Sequence, residues 1–561
     1  MAAHPDTDIR SAREAEVDLT KDDPTKDDLT NRRTLLVAAG TGIVAAACTA
    51  APSTPPPRPT STPTTAPTTT VAPTPVSSAR HLANRATFGA TAATVDAIRR
   101  KGPAAWLDQQ LSPAALPDAE TRLGGYATLR QTNAQNDAVR STDEELVFAE
   151  LDHATLQRAV YSERQLFEVM CDFWTNHFNV WRRAKWLTQL KTVDNERVVR
   201  ANALGRFADL LMASAKSPAM LVYLDNFASE GQPGSQVNEN YGRELLELHT
   251  LGIVNGSHVY AETDVVGVAK VLSGWSINWD DSPNRYTYRF SEWWHCQDAV
   301  SILGGAWSRP SRANYQDRVA NAQRDGESLL NFLARHPSTA QHLASKLVRR
   351  FVADTPPQPL VDRLAATYLS NDTAIAPVLR QLFLSPEFGA AIGQKVKRPQ
   401  DWLYSALRAT RAQIDPAAKG VASSRLRAAN LALGQPLFER VSPDGWPDRA
   451  PYWVAADGLL KRWEHAAKLA RNKLTDDTSP EKVVVDVNAL LPTPLPSTVR
   501  DVLVSTAAST FQFDLPTADA DAIAVAARLT PTGAATTLTA DVNLLQNAIG
   551  LLLCHPTFQR R

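Results

Sequence analysis

Apolar residues spaced three and four apart recur through most of the chain beyond residue 77, and alternating or β-branched runs are few. That period matches the turn of an α-helix and not the two-residue repeat of a strand, so the expected fold is mainly α, a multi-helix globular body. In residues 161–183, Leu166, Met170, Phe173 and His177 fall on one stripe, which Trp174, Phe178 and Trp181 widen. Pro337 suits a first helical turn, and Ala340, Leu343, Leu347 and Phe351 then line one face. Lys346, Arg349 and Arg350 lie where a helix C-terminus favours cations. Residues 377–388 and the last helix close on similar peptides, Leu384-Ser385-Pro386-Glu387-Phe388 and Cys554-His555-Pro556-Thr557-Phe558, as a repeated helical element would.

One stretch departs from this period. Residues 275–307 hold five of the 13 tryptophans, and Tyr286, Tyr288 and Phe290 alternate with polar residues, so a short Trp-rich β/loop insertion is expected there. Residues 430–448, rich in Gly, Pro and Asp, read as a long ordered loop before a helix over 452–470. Beyond Asp476 the pattern weakens into short segments and Pro-rich turns.

The N-terminal part cannot join the body. Arg32-Arg33 precede an apolar run from Leu35 to Ala47, 13 residues long, which is shorter than the roughly 20 needed to cross a bilayer and suits an export signal. Twin arginines imply export by the twin-arginine (Tat) translocase and an extracytoplasmic location. Ala45-Ala46-Ala47-Cys48 permits either lipid attachment at Cys48 or plain cleavage after Ala47. The first route would tether the protein to the outer face of the cytoplasmic membrane and be its only membrane contact; the second would release it. From Pro52 to Pro75, 18 of 24 residues are Pro or Thr, a composition that buries no apolar surface and acts as a tether. The expected organisation is therefore an N-terminal region and signal over 1–48, a disordered linker over 49–76, and a helical body over 77–561.

Charge and cysteine content remove several classes. Lys plus Arg number 59 against 59 Asp plus Glu, so no excess positive charge exists to neutralise a phosphate backbone and nucleic acid is not an expected partner. Cys48, Cys171, Cys296 and Cys554 are too scattered for a disulfide framework or a Cys-x-x-Cys zinc site, although one bridge among the last three remains open. No His-Glu-x-x-His, Gly-x-Ser-x-Gly or phosphate loop occurs in the body, and the acidic helix over 238–252 lacks the Glu-x-x-His of ferritin-like dinuclear sites.

The densest polar cluster runs from Asn238 to Gly252. Helical spacing puts Asn238, Tyr241, Leu245 and His249 along one side and Asn240, Glu244 and Glu247 along another. Paired carboxylates on one face can ligate a metal or divide acid and base duties, because a like charge nearby raises one carboxylate's pKa. The structural account of the same residues has Asn238 capping the helix, Glu239 pairing with Arg243, and Gly252 ending it. Three further groups carry chemistry: Asn176-His177 on an aromatic helix, Asp225-Asn226 in a turn-like context, and Trp293-Trp294-His295 as a stacking surface for sugars. Core packing is the ordinary use of the histidine and the tryptophans.

Five of these segments together resemble a known family. His81-Leu82-Ala83-Asn84-Arg85-Ala86-Thr87-Phe88-Gly89-Ala90, Phe173 to Phe178, Tyr223-Leu224-Asp225-Asn226, Asn238 to Gly252, and Leu433-Gly434-Gln435-Pro436 through Gly445-Trp446-Pro447 are similar to the bacterial domain of unknown function 1800. The resemblance implies an exported, largely helical protein, often encoded beside an exported domain of unknown function 1501 protein, which is the expected partner; it transfers no catalytic role. This chain departs from it at His295 to Val300, where an acid and a lysine are missing, and at Ala261, which replaces a helix-capping threonine.

The expected activity is metal-assisted or acid/base hydrolysis in the cell envelope. His177, Glu244 and Glu247 are the expected catalytic groups, and a divalent metal would be held by His177, Asn240 and Glu244. Asn176, Asp225, Asn238, Glu239, Arg243 and His249 are in support. A non-catalytic envelope assembly protein or glycan-binding protein is the alternative.

Overall fold

The computed structural model describes residues 75–184, 188–254, 256–280, 282–416, 421–474 and 483–561. The signal with Arg32, Arg33 and Cys48, and the linker as far as residue 74, lie outside the described residues.

The expected helical body is present. The helices that position the site are α1 (Pro75–Ala86), α2 (Glu144–Tyr161), α3 (Gln165–His177), α4 (Asn240–Glu244), α5 (Glu262–Leu272), α6 (Pro337–Phe351), α7 (Pro399–Ala409), α8 (Ala456–Ala470) and α9 (Val542–Cys554). No described helix is long and apolar enough to cross a membrane. Among the described residues strands occur only as antiparallel two-stranded ribbons: β1 (Ile253–Val254) with β2 (Ser257–His258), β3 (Trp275–Ile277) with β4 (Tyr288–Phe290), and β5 (Val300–Ile302) with β6 (Trp307–Arg309). The Trp-rich insertion is thus two hairpins, with Trp275 opposite Phe290 and Ile277 opposite Tyr288. Beyond residue 483 the chain still forms helices, among them Val499–Ser509 and Thr517–Ala526. Their small residues leave a faint apolar period but pack closely. Cys171, Cys296 and Cys554 are free thiols.

Two helix ends differ from the periodic reading. The stripe expected over 161–183 breaks at Tyr161 and again after His177, because the chain leaves the helix to bind a distant loop. Asn179 Nδ2 donates to the Arg440 and Ser442 carbonyls (2.9 Å each), and the Arg182 amide donates to the Phe438 carbonyl (3.0 Å). Hydrogen bonds to that loop replace those of a further helical turn. The helix expected over 452–470 likewise starts as a separate turn, Ala450–Trp453, before α8.

A single large apolar core runs through the body, with a smaller cluster around Tyr126, Leu151 and Phe438 beside it. Ala340, Leu343, Leu347 and Phe351 of α6 are buried in it as their spacing requires. Arg350, which charge patterning places at an exposed helix end, is fully buried instead. Its guanidinium grips the Asp401 carboxylate of α7 with both Nη atoms (2.9 and 3.0 Å) and reaches Asp172 of α3 (3.3 Å) and Asp448 (3.4 Å). Arg398 joins Asp401 (3.1 Å) and Asp172, and Arg561 adds a further contact to Asp401 (3.2 Å). Burial opposes ionisation of Asp401, yet Arg350, Arg398 and Arg561 hold its carboxyl well below the usual range. Removing one partner of such a network leaves uncompensated buried charge. Asp401→Asn is therefore expected to lower the unfolding free energy by about 3 to 5 kcal/mol, read by urea denaturation followed through tryptophan fluorescence.

Candidate functional site

Three segments meet around the C-terminal end of α3. From α3 come Asn176 and His177. Glu244, the last residue of α4, leads into a π-helical segment, Leu245–His249. From α6 come His342 and Lys346, four apart and so on one face. The loop 436–448 closes over them. Asn176 fastens it, its Oδ1 accepting from the Trp446 amide (2.6 Å) and its Nδ2 donating to the Trp446 carbonyl (2.9 Å). Gly445 makes this approach feasible: its φ is 73°, and a Cβ there would collide with Asn176.

The inner layer is an imidazole and amine cluster. His177 is 1% exposed, edge-on to Trp174 and Phe178. Its Nε2 faces the His249 carbonyl (3.2 Å), an obligate acceptor, so Nε2 carries the proton and Nδ1 accepts from Lys346 Nζ (2.9 Å). His342 Nε2 donates to the Leu248 carbonyl (3.1 Å), and the His249 and His342 rings lie 6.0 and 6.3 Å from that of His177. Burial, reinforced by Lys346, keeps all of these rings neutral: His177 falls well below its ordinary value and His249 and His342 fall to about 3. Burial also draws Lys346 down to about 8, against the pull of Asp448 and Asp444.

The outer layer is acidic. Glu244 and Glu247 are half-buried, near enough for the charge of Glu247 to act on Glu244. Burial first, and Glu247 second, raise the Glu244 carboxyl, with Asp444 adding to the rise and Arg243 opposing it. Tyr260 reaches Glu247 Oε2 (3.4 Å); burial and that carboxylate push its hydroxyl up to about 12. Tyr223 donates to the Val441 carbonyl (2.7 Å), and burial followed by the charge of Glu244 raises its hydroxyl too. Asp444 acts electrostatically on both Glu244 and Lys346, which ties the two layers to one neighbourhood.

Several expected residues take other duties. Both ring nitrogens of His177 are engaged, by the His249 carbonyl and by Lys346, and among the described residues no group of three or more His, Cys, Asp or Glu is placed to hold a metal ion. Asn240 is exposed, and its amide donates to Asn238 Oδ1 (3.0 Å), so Asn238 stabilises the turn before α4. Arg243 pairs with Glu239 (3.4 Å) as the spacing predicts, but binds Glu262 at the start of α5 more closely (2.8 Å), pinning α4 to α5. Asp225 occupies a left-handed turn with φ 62°, in keeping with the turn reading, while Asn226 is the staple, donating to the Leu272 and Trp275 carbonyls (3.1 and 3.0 Å). His249 is fully buried, and neither ring nitrogen has a hydrogen-bond partner among the described residues. At Ala261 the lost threonine cap is offset by Asp264, which accepts from the Ala261 amide (2.8 Å).

Sequence spacing singles out neither His342, Asp444 nor Tyr260, and reads Lys346 only as a cation near a helix end. The i, i+4 pair of His342 and Lys346 on an apolar-striped helix was a usable signal; Asp444 and Tyr260 carry none, since loop closure brings them in. In the insertion, Trp275 and Trp307 are buried, whereas Trp293 is 58% exposed and stacks on Tyr315 at 4.9 Å.

A family model described as protein of unknown function (DUF1800) matches residues 81–560. No curated protein and no solved structure matches the chain.

Two outcomes follow from this geometry. The folded protein holds His249 and His342 neutral down to about 3, whereas the unfolded chain binds protons at 6.5. The unfolded state therefore takes up more protons in that window, and stability, full above pH 6.5, is lost as pH falls toward 3. The thermal midpoint should fall on acidification. His342→Gln, which keeps a donor for Leu248, should flatten the fall by up to about 1.4 kcal/mol per pH unit. Gly252 has φ 65° and a Cβ there would strike the His342 ring; Gly252→Ala should cost about 2 to 4 kcal/mol in urea unfolding.

Proposed function

The chain belongs to the DUF1800 family of proteins of unknown function, and we propose that it is an exported hydrolase in which Glu244 and Glu247 divide acid and base duties. The observation that carries this reading is the raised Glu244 carboxyl beside a second half-buried carboxylate. Environments that separate the protonation of two neighbouring acids assign their roles. Glu244, whose carboxyl is raised, gives its proton to the leaving oxygen, and Glu247 takes a proton from the attacking water. Two carboxylates serve glycosidic bonds most directly, and the Trp293–Tyr315 stack offers an apolar face of the kind sugar rings pack against.

His177 and Lys346 then act from behind. Their hydrogen bond fixes α3 against α6 and holds an amine near its pKa close to Asp444. A metal site built on His177, Asn240 and Glu244 would have to break the His177 bond to Lys346 or to the His249 carbonyl, so the proposal uses no metal. Delivery rests on the Arg32-Arg33 leader and the twin-arginine translocase, with Cys48 as the anchor point if lipidated and an exported domain 1501 protein as partner. The burial of His177 and His249, with half-buried Lys346 bonded to the first, favours the rival, a non-catalytic envelope assembly protein in which the polar groups only support the fold.

Reducing-sugar release from purified cell-wall polysaccharide separates the two readings. Glu244→Gln and Glu247→Gln are expected to keep the wild-type melting temperature and lose about 100-fold or more in rate. Unchanged release by folded variants, or no release by the wild-type protein alongside a large loss of stability in both variants, favours the structural role.

A further inference from the structure

A pocket of about 190 Å³ opens between α1, the 392–398 turn, residues 511–514 and the C-terminal segment. Lys397 lines it. The lysine is 3% exposed, and its ammonium lies 3.8 Å from the centre of the Phe558 ring. Among the described residues its Nζ makes no hydrogen bond and no ion pair. That is unusual for a buried lysine, since such groups are otherwise paired. Lys395, two residues earlier, follows the rule through Asp354.

The backbone around Lys397 is rigid. An antiparallel bridge joins Val396 to Arg560; the Lys397 amide donates to the Gln559 carbonyl (2.9 Å), and Arg462 donates to the Lys397 carbonyl (3.0 Å). The amine is thus held at one place in the pocket wall. The mouth carries positive charge. Arg80 is answered by Asp514 (2.6 Å) and Arg561 by Asp401 (3.2 Å), whereas among the described residues Arg560 is held by the neutral Gly393 carbonyl alone (3.2 Å). Such a rim favours an anion.

We propose that Lys397 is the nucleophile of a covalent carbonyl site, forming an imine with small anionic aldehydes or keto acids. An amine desolvated among cations is uncharged near neutral pH, which is the state that attacks carbonyl carbon. Burial, helped by Arg561 and Arg462 against the pull of Asp401, draws Lys397 down to about 7. The amine adds to the carbonyl carbon, the carbonyl oxygen leaves as water with the two amine protons, and a C=N bond remains.

Pyruvate with sodium borohydride tests this on the full chain at neutral pH. Hydride delivered to the imine carbon fixes the adduct as a secondary amine, and peptide mass spectrometry reads occupancy at each lysine. Lys397 is expected to label about ten-fold or more faster than the exposed Lys473, and faster with pyruvate than with neutral hydroxyacetone. Lys397→Arg, which keeps a cation over Phe558, should abolish that adduct and leave the others. Labelling of Lys397 no faster than Lys473, or equally fast with both carbonyl compounds, overturns the assignment; both readings come from the wild-type protein and do not depend on the variant folding.

Discussion

The buried grip of Arg350 and Arg398 on Asp401 is the constraint from which the rest of the architecture follows. Its charges come from α3, α6, α7, the loop ending at Asp448, and Arg561, parts of the chain far apart in sequence. Ions taken out of water are tolerated only where each finds opposite charge and hydrogen bonds, so these segments must dock in one register. Lys346 is one turn before Arg350 on α6, and His177 follows Asp172 on α3; fixing the charges therefore fixes the meeting of that lysine and imidazole. Asp448 ends the loop whose Trp446 clasps Asn176.

The site has two layers with opposite requirements. The inner imidazoles and Lys346 are desolvated and held toward their neutral forms, which suits packing and hydrogen bonding more than exchange with substrate. Outside them, Glu244 and Glu247 remain half-buried, where each can feel the other and still reach solvent. Asp444 acts on both layers. The same charge network also bears on the pocket at Lys397, since Asp401 and Arg561 act on that lysine.

What could be read from the chain depended on whether the signal was local. The apolar stripes of α3 and α6 are local, and both helices form; so is the pairing of Glu244 with Glu247. Arg350 shows the limit. A cation near a helix C-terminus reads the same whether it meets water or a buried carboxylate, and its partners at 172, 401 and 448 are invisible to spacing rules. The π-helical turn at Leu245–His249 has no propensity signature either; it arises from packing, and with the Gly252 amide bonded to the Leu246 carbonyl it brings His249 under Phe178. The aromatic neighbours of His177 are local and legible, whereas the lysine from another helix that meets its ring nitrogen is not.

The whole functional account rests on Glu244 keeping its proton longer than a free glutamate because Glu247 and a partly desolvated wall surround it. Carboxyl-carbon NMR titration of the intact protein, with Glu244 assigned by its loss in Glu244→Gln, measures this directly. The account predicts a midpoint above the ordinary 4.5 that moves back toward it in Glu247→Gln. A midpoint at or below the ordinary value, unmoved by that substitution, would contradict it.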